Sequence, residues 1–118
     1  MKLHESGENY LETIYLLHKQ NINVRAIDVA NELSFSKPSV SRALNLLKSK
    51  GYIHIENNVI TLTEQGLQKA ESIYARHVHI TNFLVQTLGV ERHIAEKDAC
   101  RIEHIISERT FNLIKEKY

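Results

Sequence analysis

Between Ala26 and Leu62 the apolar period changes from helical to alternating, and this change limits the fold more than any other feature of the chain. Ile27, Ala30 and Leu33 recur at helical spacing and predict a short helix over Ala26–Leu33. After a link of only Ser34-Phe35-Ser36, Val40, Ala43, Leu44 and Leu47 predict a second helix over Lys37–Lys50. Ser36 is placed to cap that helix. Pro38, the only proline, falls in its first turn, where no intrahelical N–H is needed, and Gly51 ends it. Tyr52-Ile53-His54-Ile55 and Val59-Ile60-Thr61-Leu62 then alternate around Glu56-Asn57-Asn58, the pattern of a β-hairpin. Helix, tight turn, helix and hairpin is the order of a winged helix-turn-helix, whose second helix enters the major groove of DNA.

The flanking segments are helical as well. Tyr10, Leu11, Ile14, Tyr15 and Leu17 predict an amphipathic helix from Glu5 to Gln20. Thr63 can cap a long helix carried by Leu67, Ala70, Ile73, Tyr74, Ile80 and Leu84 until Gly89 breaks it. A further helix is expected from Glu91 to Ile106, with Ile94, Ile102 and Ile105 as its apolar stripe, and a last one from Ser107 to Tyr118. The fold expected is therefore mainly α with a small β-hairpin wing. A winged helix-turn-helix DNA-binding domain over residues 1–62 precedes an all-helical domain over 63–118. With 42% hydrophobic residues, four glycines and one proline, the composition suits such a folded, helix-rich chain.

A net charge of only +1 makes no case for nucleic-acid binding, so the case rests on distribution. From Leu33 to Ile55 the chain carries Lys37, Arg42, Lys48 and Lys50 but no Asp or Glu. The first turns of the second helix offer Ser36, Lys37, Pro38, Ser39, Ser41 and Arg42, small or cationic groups able to reach phosphates and base edges. Arg42 suits guanine, Lys48 suits phosphate, and Arg25 can clamp backbone phosphate ahead of the first helix. The wing tip holds no cation and is expected to add little affinity.

Four of the seven histidines, His77, His79, His93 and His104, lie in the second half. Read as one helix, Glu96, Cys100, Glu103 and His104 fall at i, i+4, i+7 and i+8 and share a face. Carboxylate, thiolate and imidazole together suit a first-row transition ion, whereas calcium or magnesium takes oxygen alone. Asn9 and Glu12 on the first helix and His77 on the long helix are placed to close such a site. His79 and His93 fall off these faces and are expected at the surface. No Cys-x-x-Cys pair is present, which argues against structural zinc.

Tyr10-Leu11-Glu12-Thr13-Ile14-Tyr15, Ser39-Val40-Ser41, Leu62-Thr63-Glu64-Gln65-Gly66, Arg76-His77 and Asp98-Ala99-Cys100-Arg101-Ile102-Glu103-His104 together resemble the diphtheria-toxin-repressor family of iron- and manganese-dependent regulators. The resemblance implies a homodimer that binds double-stranded operator DNA when loaded with Mn(II) or Fe(II) as corepressor, with Glu103 and His104 as ligands. By the same resemblance Cys100 holds a ligand position of the iron-responsive branch, and Glu12 and His77 match ligands of the manganese-responsive branch. Glu96 stands where the iron branch has an ancillary-site histidine. Asn9 replaces an aspartate or a methionine, and Thr81 replaces an ancillary-site glutamate. The ion would join helix one to the second half, and the dimer would form through apolar faces after Ile94 and along the last helix. The SH3-like third domain has no counterpart in these 118 residues, so the chain is either a short member or part of a longer one.

Two rivals remain from the residues alone. A winged-helix regulator indifferent to metals would bind DNA equally after chelation. An enzyme using Cys100 as nucleophile and His104 as base would need an oxyanion donor and a cleft that the sequence does not suggest. A single cysteine and no secretory leader in Met1 to Glu12 point to the cytoplasm, and no apolar run approaches the roughly 18 residues that a membrane span needs.

Overall fold

The computed structural model describes residues 5–20 and 23–117. They form α1 (Glu5–Lys19), α2 (Ala26–Leu33), α3 (Lys37–Ser49), β1 (Ile53–Glu56), β2 (Val59–Leu62), α4 (Glu64–Leu88), α5 (Arg92–Ile102) and α6 (Glu108–Lys117). This is the mainly helical architecture with one hairpin that the sequence predicts. Tyr118, to which the periodicity extends the last helix, lies outside the described residues. The chain divides into two compact units, Met1–Glu71 and Ser72–Tyr118, the division falling within α4.

In the first unit the three helices bury Leu11 and Ile14 of α1, Val29 of α2, and Val40 and Leu47 of α3 around Val24 and Ile60. Each aliphatic side chain taken from water contributes about 1.5–3 kcal/mol before entropy is counted. Ile27, expected inside, is 46% exposed, and Val29 takes its place. Helical spacing allows either residue to share a stripe with Ala30 and Leu33, and the packing of α1 and α3 selects Val29.

The helix-turn-helix corner places Ser34 in the left-handed region at φ 57° and ψ 39°. That conformation crowds a Cβ. Ser34→Gly is expected to raise stability by about 0.5–1 kcal/mol, relief of crowding outweighing the greater freedom of glycine in the unfolded chain. Urea denaturation reads this as a higher midpoint; a lower one would mean that the serine side chain stabilises the corner. Ser36 then caps α3, its Oγ accepting from Ser39 N–H at 3.3 Å and donating to Ser39 Oγ at 2.9 Å.

The hairpin pairs Ile53 with Leu62, Ile55 with Ile60 and Glu56 with Val59. Its turn is one residue shorter than the expected Glu56-Asn57-Asn58. Asn57 and Asn58 alone make it, at φ 52° and 64°, a two-residue turn of the kind that needs two positive φ angles and accepts asparagine. Ile60 turns its backbone groups away from β1: its N–H donates to Val24 C=O at 2.8 Å, and its C=O accepts from His18 Nε2 at 3.0 Å. His18 thus fastens α1 to the wing.

Thr63 starts α4 as expected. Its Oγ1 accepts from Gly66 N–H at 3.0 Å and donates to Gly51 C=O at 2.6 Å, while its N–H donates to Tyr52 C=O at 3.1 Å. One residue therefore ties the end of α3, the approach to β1 and the start of α4.

The second unit is built on Ile80 of α4, Ala99 of α5 and Phe111 of α6, with Leu84, Ile102 and Ile106 packed against them. Here α5 is shorter than its periodicity suggests, ending at Ile102 rather than Ile106. Glu103 N–H closes it on Ala99 C=O at 2.8 Å; the N–H groups of Ile105 and Ile106 then both turn back onto Ile102 C=O. Ser107 begins α6 by accepting from Thr110 N–H at 3.1 Å. The buried residues of α5 are Ala95 and Ala99, with half-buried Ile102 beside them; Ile94 and Ile105 are 41% and 70% exposed. Small side chains permit close helix approach, which apolar size alone does not reveal. Among the described residues no helix is long and apolar enough to cross a membrane.

Candidate metal centre and nucleic-acid interface

The early end of α5 shapes the candidate metal centre. Cys100 lies on the last turn of the helix, Glu103 caps it, and His104 follows in the turn toward α6. Cys100, Glu103 and His104 each present one donor atom, and these lie within 4.8 Å of one another. Transition-ion bonds of about 2.0–2.3 Å hold opposite donors roughly 4–4.6 Å apart, so the spread is close to that of a ligand set.

Glu103 is the centre of the group, with a side chain fully out of contact with solvent. His77 Nδ1, from the middle of α4, donates to its Oε2 at 3.0 Å. With Glu103 as the carboxylate, which only accepts, the proton of this bond belongs to Nδ1. The other oxygen, Oε1, accepts no hydrogen bond and lies 3.3 Å from His104 Nε2. Burying a carboxylate costs several kcal/mol, and one imidazole on one oxygen offsets only part of that. The remaining oxygen, set beside a second imidazole and a thiol, is a good fit for a divalent cation with both nitrogen and sulfur affinity. Tyr74 lies nearly parallel to His77, with ring centroids 6.1 Å apart.

The other expected residues are placed as follows. Glu96, one turn before Cys100 on α5, is exposed and outside the converging group. Glu12, on α1 of the first unit, is buried at 5% exposure; Asn9, one turn earlier, is half-buried, and its C=O accepts from Thr13 Oγ1 at 2.9 Å. Thr81 is buried with an Oγ1 that makes no hydrogen bond. His93 is exposed as expected, whereas His79 packs edge-on against Phe111 with centroids 5.9 Å apart.

Two contacts of charged side chains, half-buried Arg76 and buried Glu8, escaped the sequence reading. Arg76 donates from Nη1 to Glu103 C=O at 3.0 Å, and its guanidinium lies 5.3 Å from the Phe111 ring centre. Glu8, one turn before Glu12, is buried and pairs with Lys69 Nζ at 3.6 Å. The available signals were an arginine beside His77 between buried Ile73 and Ile80, and two glutamates four residues apart on one helix.

On α3, Val40, Leu44 and Leu47 face the core, while Lys37, Pro38, Ser41, Arg42 and Lys48, with Ser36 ahead of them, are exposed. Ser39 is half-buried and its hydroxyl is engaged by Ser36, so it belongs to the cap. Arg25 is exposed, and its backbone N–H is held by Asp28 Oδ2 at 2.9 Å. Arg25, Ser41, Asn45 and Asn58 border one open depression of ≈ 360 Å³ between α2, α3 and the wing. Burial raises the Tyr10 phenol above its usual pKa, and the positive charge of Arg42 partly opposes this.

A winged helix with a basic outer face, followed by a helical unit with a mixed thiol, carboxylate and imidazole cluster, defines a class: DNA-binding regulators governed by a transition-metal ion. Comparison with known proteins narrows the class. Residues 2–59 match the iron dependent repressor N-terminal DNA binding domain, and residues 63–118 the iron dependent repressor metal binding and dimerisation domain. An HTH-type transcriptional regulator of Methanocaldococcus jannaschii is 34% identical over 113 residues, 94% of this chain and 90% of the relative. The transcriptional regulator MntR of Escherichia coli is 35% identical over 115 residues, covering 94% of this chain and 74% of the relative. A manganese-dependent transcriptional repressor in complex with manganese superposes with a TM-score of 0.87 at 25% identity, over 94% of this chain and 51% of that one. The chain thus spans about half the length of that solved structure. It belongs to the iron-dependent repressor family of metal-dependent transcriptional regulators.

Proposed function

We propose that this chain represses transcription in the cytoplasm by binding operator DNA as a homodimer when it carries Mn(II) or Fe(II). The observation that carries the reading is the buried Glu103 carboxylate, held by His77 on one oxygen and set beside His104 and Cys100 on the other. In this reading Glu103, His104 and Cys100 are ligands, Cys100 as thiolate, and His77 orients Glu103 or joins the set. Asn9 and Glu12 keep the ligand positions that the resemblance gives them, and Glu96 is a peripheral carboxylate. When bound, the ion supplies the positive charge that these donors lack. No catalytic role is assigned to Cys100.

Division of labour at Thr63 gives residues 1–62 to DNA and 63–118 to metal and dimer. Ser36, Lys37, Pro38, Ser41 and Arg42 meet the major groove, Ser39 shapes the cap, and Arg25 and Lys48 contact phosphates. Ile94, Ile105 and Leu113, all exposed in the single chain, supply apolar surface for the partner copy. A two-fold dimer then sets its recognition helices about one turn of DNA apart, roughly 34 Å.

Chelator-treated protein, titrated into a selected DNA pool at fixed salt by fluorescence anisotropy, tests this. Mn(II) or, anaerobically, Fe(II) is expected to tighten binding at least about tenfold, within the roughly 5- to 150-fold range of a typical coupling. Equal binding with and without either ion would leave a winged-helix DNA binder and remove the metal switch.

A further inference from the structure

Two consecutive residues of α4 grip Glu103 at opposite ends. His77 holds its carboxylate and Arg76 its backbone carbonyl, each at 3.0 Å. That carbonyl belongs to the cap residue of α5, where the last carbonyls of a helix lack intrahelical donors and the helix dipole is negative. A guanidinium satisfies both needs, and a planar one is also able to lie over an aromatic ring. The ring is Phe111 of α6, 5.3 Å from Arg76 and only 9% exposed. Phe111 is one of the three buried residues that hold α4, α5 and α6 together. Within the turn Glu103–Ile106 the N–H groups of Glu103, Ile105 and Ile106 return to Ala99 and Ile102, Ile106 packs against the Phe111 core, and Ser107 serves α6. Arg76 is thus a polar side chain that touches both the cap bearing the central carboxylate and the aromatic ring of the last helix.

We propose that Arg76, seated on Phe111, is a positioning residue that sets the Glu103 turn for metal binding and so links the packing of α6 to the affinity of the metal centre. This rests on the metal reading above, and it differs from a general structural role in what it alters. Loss of Arg76 moves the carboxylate relative to Cys100 and His104 while the Ile80–Ala99–Phe111 core stays in place. Arg76→Lys keeps a donor for the carbonyl but loses the guanidinium over the ring, and Phe111→Leu keeps apolar volume but removes the ring.

Cobalt(II) serves as the probe, because its visible spectrum reports both binding and ligand geometry, including the thiolate charge-transfer band from Cys100. Wild type, Arg76→Met, Arg76→Lys and Phe111→Leu are titrated anaerobically in the full chain, with circular dichroism on the metal-free proteins. Arg76→Met is expected to weaken Co(II) binding by about 10- to 100-fold, the usual effect of removing a group that orients a ligand, and to shift the d–d bands, with helicity kept. Arg76→Lys and Phe111→Leu should fall between Arg76→Met and wild type with bands displaced in the same direction. Wild-type affinity and spectrum in Arg76→Met would overturn the positioning role while leaving the metal centre intact. Should Arg76→Met fail to fold, unchanged affinity and bands in both Arg76→Lys and Phe111→Leu would overturn it equally. A wild type that takes up no cobalt would overturn the metal reading and this inference together.

Discussion

Glu103→Gln is expected to lower Mn(II) and Fe(II) affinity by at least about a hundredfold, close to 3 kcal/mol, without loss of the folded state. The substitution keeps shape and one acceptor oxygen but replaces a buried anion by a neutral amide. In the metal-free protein that exchange is mild or favourable, because the carboxylate is fully buried with only His77 bonded to it and Oε1 unsatisfied. With metal present the balance reverses, since the charge that opposed burial is what holds the cation. The two states are therefore read separately. Melting without metal should stay within a few degrees of wild type, while the rise in melting temperature on adding metal should disappear. At a hundredfold excess of ion over its dissociation constant, that rise corresponds to about 2.7 kcal/mol in wild type. Glu103→Gln that still gains the full metal-induced rise would remove Glu103 from the ligand set. Failure of the metal-free variant to fold would mean that the carboxylate serves structure instead.

Gly66→Ala is expected to destabilise the DNA-binding unit by about 3 kcal/mol or more. A Cβ at this position would sit 1.9 Å from Tyr52 O and 2.8 Å from its carbonyl carbon. Both are backbone atoms, so no change of rotamer relieves the contact. The first turn of α4 would have to tilt away, and Thr63 would then lose bonds that tie Gly51, Tyr52 and Gly66 to one point. Against a total stability of order 5–15 kcal/mol, this is a large fraction. Urea denaturation measures it directly, and operator binding should weaken in parallel because the wing and α3 share this corner. An unchanged midpoint would mean that α4 and Tyr52 approach less closely in solution than in this structure.

These two glycine and glutamate positions illustrate different degrees of legibility. Leu62-Thr63-Glu64-Gln65-Gly66 marked a helix start, because Thr63 and its cap contacts are local; that Gly66 admits no side chain follows from Tyr52, fourteen positions earlier. Glu103 was recognised as a donor from its neighbours Cys100 and His104, and its backbone is still helical, yet Glu96 on the same face stays exposed and outside the converging group, and His104 joins it from the turn. The end of α5 depends on where Ser107 starts the next helix, and periodicity is blind to that competition. Donors can converge from a turn as well as from a face.

The sequence by itself determined the order of helices and hairpin, the caps at Ser36 and Thr63, the breaks at Gly51 and Gly89, the basic outer face of α3 and the residue types of a transition-metal cluster. All of these rest on interactions within a few residues, where composition and spacing act directly. Only the tertiary structure decided that Val29 rather than Ile27 turns inward, that Ala95 and Ala99 rather than Ile94 and Ile105 line α5, and that His77 and Arg76 hold the two ends of Glu103. The first two are choices between alternatives that helical spacing leaves open, the third joins residues 26 and 27 positions apart, and all are made by the packing of segments distant in the chain.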